Sequence, residues 1–206
     1  GDTADRITIT RLDESTIAIT DSAGAASSAD ATCTVDPATG AATCAATDET
    51  VVVASLGAGA DTIAFDGATA TLRIDDATTT DVVDLSATAD PITVRWQRAR
   101  QRIVATCASC TLPWSVLLPT SPGRVELGTG DDDVDLRTWP GRGRTTWQLW
   151  DGRDRFRGAA RRRSVVQAGA GADSLVGYAA ADVSDGDSDS DKLAAAGGRG
   201  DVLRGG

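Results

Sequence analysis

A short acidic phrase recurs along this chain. It reads Leu56-Gly57-Ala58-Gly59-Ala60-Asp61-Thr62-Ile63, then Leu127-Gly128-Thr129-Gly130-Asp131-Asp132-Asp133-Val134, then Ala168-Gly169-Ala170-Gly171-Ala172-Asp173-Ser174-Leu175. Each copy sets a Gly-x-Gly-x-Asp turn between two apolar residues seven positions apart. The two Gly let the backbone curl so that carbonyls point inward, and Asp adds a carboxylate two residues on. Carbonyl and carboxylate oxygens are the hard donors that Ca²⁺ gathers, six to eight at a time. One turn does not complete such a shell, but two turns stacked across a strand spacing of about 4.8 Å would. Taken singly, the same residues mark only a tight turn, with Gly at positive φ and Asp bonding its own backbone.

These turns must be positioned by strands. Val51-Val52-Val53, Val125-Glu126-Leu127 and Val165-Val166 precede the three copies, and weaker copies fill most of the gaps. The key position falls at 61, 81, 101, 132, 154, 173, 191 and 201, mostly about twenty residues apart, with one longer interval and a final half step. A unit of that size cannot bury its apolar face alone. Stacked as successive coils, such units share a thin continuous core. The expected fold is all-β: a right-handed parallel β-solenoid, with a generic β-sandwich as the alternative. The best stretch for a metal is 128–201, where Asp132, Asp154, Asp173, Asp191 and Asp201 recur on neighbouring coils, while Asp61 sits beside degraded copies.

Composition agrees with that picture. The chain has 206 residues, 41% of them hydrophobic but only 4% aromatic, which suits a slim core of Ala, Val, Leu and Ile. Only three of its 30 acidic residues are Glu, so the charge favours turns over helices. The net charge of −10 points to cations and away from nucleic acid and anionic membranes. With no His, Ser-His-Asp triads and His–metal sites are excluded. No apolar run is long enough to insert in a membrane as a helix.

Other segments add detail. Ile7-Thr8-Ile9-Thr10 and Ile17-Ala18-Ile19-Thr20 alternate as a hairpin, and 21–32 reads as a loop. Cys33 and Cys44 flank a turn at Asp36-Pro37-Ala38-Thr39-Gly40, which suggests a disulfide staple. The segment at about 104–123 reads as an insertion, a protruding loop in which Cys107 and Cys110 form a second local disulfide. A redox or zinc role for this Cys-x-x-Cys would need a helix start or all four Cys together. Disulfides and a start at Gly1-Asp2-Thr3 suit a mature secreted protein. The run Arg153, Arg155, Arg157, Arg161, Arg162 and Arg163 balances the acidic neighbours or grips anionic polysaccharide beside Trp139, Trp147 and Trp150.

The copies at 57–63, 128–134 and 169–175 resemble the hemolysin-type calcium-binding (RTX) repeat, from its second Gly through its apolar position. The hairpin, the Cys-turn-Cys segment and the Val-rich strand are similar to the start of secreted actinobacterial members of that family. The resemblance implies carboxylate ligands at Asp61, Asp132 and Asp173, with turn carbonyls from Gly57, Gly59, Gly128, Gly130, Gly169 and Gly171. Departures exist. Leu56, Leu127 and Ala168 stand where the repeat has its first Gly; Ala77 and Thr79 replace Gly before position 81; Gln101 brings no carboxylate; Trp150 displaces a Gly. At 187–191 carboxylates stand where Gly is expected.

Two segments are therefore expected: an N-terminal hairpin and disulfide-stapled cap at 1–50, and solenoid repeats at 51–206. The expected function is a secreted, non-enzymatic, calcium-binding module with a structural or adhesive role at the cell exterior, whose partners are calcium, polysaccharide or further copies of itself. The alternatives are a metal-free solenoid that assembles, or a carbohydrate-active β-helix enzyme similar to polysaccharide lyases.

Overall fold

The structure is a computed structural model that describes residues 4–22, 33–47, 50–56, 59–66, 71–76, 78, 80–111, 113–178 and 180–205. Most of the expected 21–32 loop, together with Gly57, Ala77 and Thr79, lies outside these residues. Among the described residues there is no helix. The strands fall into two large sheets whose pairings are mostly parallel, an arrangement compatible with a β-solenoid.

The first strands are β1 (Arg6–Asp13), β2 (Thr16–Asp21), β3 (Cys33–Val35) and β4 (Ala42–Ala45). They pair antiparallel with one another, and β1 then joins the parallel part of the first sheet. Next come β5 (Val51–Ser55), β6 (Thr62–Asp66), β7 (Thr71–Asp76), β8 (Val82–Asp84), β9 (Thr93–Gln97), β10 (Arg102–Cys107) and β11 (Trp114–Leu118). The remainder are β12 (Arg124–Glu126), β13 (Asp133–Asp135), β14 (Gly143–Gln148), β15 (Arg155–Arg157), β16 (Arg162–Gln167), β17 (Ser174–Gly177), β18 (Val183–Asp185), β19 (Lys192–Ala195) and β20 (Val202–Arg204).

From β12 onward the chain alternates between the sheets. Strands β12, β14, β16, β18 and β20 pair in turn in the first sheet, and β13, β15, β17 and β19 in the second. The register sets Arg124 beside Thr146, Val165, Val183 and Val202 in succession, so each coil takes about twenty residues. Three-residue strands such as Asp133-Val134-Asp135 and Arg155-Phe156-Arg157 point one apolar side chain inward and two charged ones outward. A buried apolar residue at the following or preceding turn widens the core, as at Leu127, Leu136 and Leu149.

The core is thus a thin stack. Ile63, Val83, Val125, Trp147 and Val166 face it from the first sheet, and Val94, Val134, Phe156 and Leu175 from the second. The Trp147 and Phe156 rings lie 5.9 Å apart across it. The core thins toward the C-terminal coils: Ser184 takes a buried position, Leu193 is only partly covered and Leu203 is 41% exposed.

Three sequence expectations change. The segment at 104–123 is not a loose protrusion. Strands β10 and β11 are inserted into the second sheet between β9 and β7, pairing antiparallel through β9–β10–β11 and then parallel to β7. Ile103, Ala105, Val116 and Leu118 are buried there and extend the core. Gln101 is not a degraded repeat corner; it sits at φ 51 in the turn that reverses the chain from β9 into β10. The Arg run also divides. Arg162 is buried, its guanidinium 4.2 Å from the Trp139 ring, with Nε donating to Thr145 Oγ1 (2.7 Å) and Nη1 to the Arg142 carbonyl (2.7 Å). Burial lowers its pKa to about 10. Arg157 instead pairs on the surface with Asp133 and Asp135. Trp139 and Trp147 are buried, leaving Trp150 the exposed member of the three.

Candidate functional site

Each coil has two turns, one leading into each sheet, and in the C-terminal half Asp ends every turn into the second sheet but only the last two turns into the first, at Asp182 and Asp201. At the turn entering the second sheet the residues are Asp132, Asp154, Asp173 and Asp191, just ahead of β13, β15, β17 and β19. Their carboxylates form a ladder. Asp132 Oδ1 accepts the Ile92 N–H (2.7 Å), Asp154 Oδ1 accepts the Asp132 N–H (2.8 Å), Asp173 Oδ1 the Asp154 N–H (2.8 Å) and Asp191 Oδ1 the Asp173 N–H (3.0 Å). Each carboxylate therefore ties its coil to the one before. The second oxygen, Oδ2, is buried and has no hydrogen-bond partner in any of the four.

The turn entering the first sheet carries a similar ladder with gaps. Asp61 Oδ1 accepts the Asp5 N–H (2.9 Å), Asp81 the Asp61 N–H (3.0 Å), Asp182 the Ser164 N–H (2.8 Å) and Asp201 the Asp182 N–H (2.8 Å). Here Asp81 and Asp182 use both oxygens. Asp182 Oδ2 accepts the Tyr178 N–H at 2.8 Å, and Asp81 Oδ2 accepts the Thr78 N–H. Asp61 and Asp201 keep a buried Oδ2 without a partner. The expected metal residues are thus split: Asp132, Asp154, Asp173 and Asp191 share one column, while Asp61 and Asp201 stand on the other.

Asp182 was not singled out by the sequence reading, although it is buried. Its signal was present. Asp173, Asp182, Asp191 and Asp201 are spaced nine, nine and ten residues apart, which is half a coil each. A period of twenty hides this alternation between turns.

The glycines explain why the second-sheet ladder stays open. Its turns lie almost in contact from coil to coil. A Cβ on Gly171, whose φ is +134, would stand 1.7 Å from the Gly152 carbonyl oxygen, and one on Gly169, at φ +102, 2.0 Å from that of Trp150. Gly128 and Gly130 likewise lie against the backbones of Thr88 and Asp90. The turns bond each other in this stack: Thr129 N–H to Thr88 O, Gly152 N–H to Ala170 O and Ser188 N–H to Gly169 O. Turn N–H groups spent between coils are not available to fold back on Oδ2. Trp150 at φ 67, Asp187 at φ 63 and Asp189 at φ 84 adopt left-handed conformations in the same column without being Gly. Asp tolerates this conformation better than Trp does.

Electrostatics follow from burial. Asp132 is pushed up to about 7, chiefly by loss of solvent, against the Ile92 hydrogen bond. Asp154 rises to about 8 for the same reason, reinforced by the neighbouring Asp132 and Asp173 charges. Asp173 is also raised by burial. A column of this kind is short of positive charge. Among the described residues no three carboxylates bring oxygens within 4.8 Å of one another. A cation here would lie between carboxylates of successive coils and complete its shell from turn carbonyls and water. Hard oxygens of both kinds are present, so the donor set fits Ca²⁺. A groove of about 440 Å³ runs along the column, lined by Asp132, Asp154 and Asp173 together with Asp131, Arg153 and Lys192.

Both cysteine pairs are joined, Cys33 to Cys44 across β3 and β4 and Cys107 to Cys110 at the end of β10. Two disulfides suggest an oxidising environment. Among the described residues no helix is long and apolar enough to cross a membrane. No family model, curated protein or solved structure matches this chain.

Proposed function

We propose that the chain is a secreted, right-handed β-solenoid module that binds calcium along the turn entering its second sheet and serves a structural or adhesive role outside the cell. The observation that carries this reading is the column of buried, unpartnered Oδ2 atoms on Asp132, Asp154, Asp173 and Asp191. Four carboxylates aligned about one strand spacing apart repel one another, and each lacks a donor for its second oxygen. A divalent cation between coils relieves both costs, and its binding energy then adds to folding. The resemblance of 128–134 and 169–175 to the hemolysin-type repeat points the same way. The strands ahead of the coils, with the Cys33–Cys44 bond, would act as the cap that a solenoid needs at its first coil.

Calcium supplies charge neutralisation here, and the chain supplies shape. Oδ1 of each Asp holds the register between coils, the Gly pairs let the turns stack, and the apolar layer beneath excludes water. A metal-free form of the same module is the second reading, favoured by the raised Asp132 and Asp154, whose protonated carboxyls can stand uncharged in the column. Isothermal titration separates the two. Calcium binding is expected at a Kd on the order of 10⁻⁴–10⁻³ M, the range of extracellular modules, with heat lost in Asp154→Asn and Asp173→Asn. No heat at millimolar calcium would leave the metal-free module.

A further inference from the structure

We infer that Cys107, Cys110 and Asp90 constitute a second metal site, gated by thiol oxidation and suited to a zinc-class divalent cation. It owes nothing to the calcium reading. Both Sγ atoms and a carboxylate oxygen of Asp90 lie within 4.8 Å of one another. They come from separate elements: Cys107 closes β10, Cys110 follows it in the hairpin connection, and Asp90 lies in the turn ahead of β9. The Cys110 N–H donates to Cys107 Sγ at 3.1 Å, and Thr88 Oγ1 lies 3.5 Å from Cys110 Sγ. An N–H directed at sulfur stabilises a thiolate, the form that ligates metal. A cavity of about 220 Å³, lined in part by Thr88, Asp90, Cys110 and Trp114, opens onto the cluster.

In the oxidised protein the two sulfurs are bonded to each other and hold no metal. A dithiol reductant opens the site. Its thiolate attacks Cys110 Sγ, the half-buried member of the pair, and the S–S bond breaks with Cys107 leaving as a thiolate beside the Cys110 N–H. The reductant's second thiol then displaces Cys110 and closes its own disulfide, so two electrons and two protons pass to the protein. A divalent cation replaces those two protons. Two thiolates at Cys-x-x-Cys spacing with one carboxylate form a donor set for Zn²⁺ rather than Ca²⁺, and the open cavity leaves the fourth position to water or the Thr88 hydroxyl.

Cobalt(II) reports on the site directly. Titrated anaerobically into the full chain after phosphine reduction, it should give a thiolate-to-cobalt charge-transfer band that saturates at one equivalent and is displaced by zinc. The oxidised protein and Cys110→Ala should give no band, while a Cys33→Ser/Cys44→Ser double variant should keep it. Asp90→Asn should weaken cobalt binding by about tenfold or more, since loss of even an outer-shell partner costs that much. Circular dichroism of each variant checks that the fold is retained. A reduced wild-type chain without a band, a band that survives Cys110→Ala, or an unchanged affinity in Asp90→Asn would overturn the site.

Discussion

Two buried aspartates, Asp182 and Asp154, end the two opposite turns of the coil, one ahead of each sheet, and differ in one hydrogen bond. Both accept a backbone N–H from the preceding coil through Oδ1, at 2.8 Å. At Asp182 the chain folds back and the Tyr178 N–H reaches Oδ2, so the carboxylate is closed by protein alone. At Asp154 the turn N–H of Gly152 is given to the Ala170 carbonyl of the next coil, and Oδ2 is left buried and bare. The identity of the side chain is therefore not what leaves a ladder oxygen bare. At Asp154 the stacking of the turn above it decides, and Gly171 lets the backbones nearly touch there.

The largest expected effect breaks the stacking. Gly171→Ala adds a Cβ 1.7 Å from the Gly152 oxygen at a φ of +134. The cost should be roughly 3–5 kcal/mol in chemical denaturation. Gly205→Ala, where an added Cβ meets nothing within 4 Å, should leave stability unchanged. Equal effects at the two sites would mean that the turns do not stack as described.

Acidity gives the next largest effect. Asp132 and Asp154 have folded values of about 7 and 8, above the unfolded value of about 3.9. The folded state then binds protons more tightly. Their contribution is fully present below about pH 4 and is lost as pH rises through 7 and 8. In chelator, urea denaturation should show stability falling by several kcal/mol between pH 5 and pH 9. Saturating calcium should suppress that fall. Stability that rises over the same interval would show the column already neutralised by other means.

A smaller effect sharpens the comparison itself. Asp182→Asn sets an amide N–H₂ against one of two backbone donors, which should destabilise by about 1–3 kcal/mol. Asp154→Asn keeps one acceptor for Asp132 N–H and replaces the bare oxygen, so in chelator at pH 8 it should be neutral or stabilising. If both variants lose the same stability, the two ladders are equivalent and the distinction fails.

Much of this was legible in the residues. The Gly-x-Gly-x-Asp phrases, the single inward Val or Leu of each short strand and the scarcity of aromatics gave the stacked two-sheet fold. The ladder column at Asp132, Asp154, Asp173 and Asp191 was legible too, because each copy keeps the same seven-residue frame. What stayed hidden is non-local. Ile103-Val104-Ala105 reads like any other short strand, and nothing in it says that its neighbours run antiparallel. The split of Asp61 and Asp201 from the other four depends on which half of a coil each residue ends. The closure at Asp182 depends on a turn N–H whose use is settled only when coils meet.

Scanning calorimetry of the full chain with chelator, with calcium and with magnesium tests the open column most directly. The account predicts a melting temperature that climbs with calcium through the millimolar range, as expected for a ligand of the folded state alone. Magnesium should do little, and the climb should vanish in Asp154→Asn but persist in Asp182→Asn. A melting temperature indifferent to calcium, or a climb that Asp154→Asn leaves intact, would contradict it.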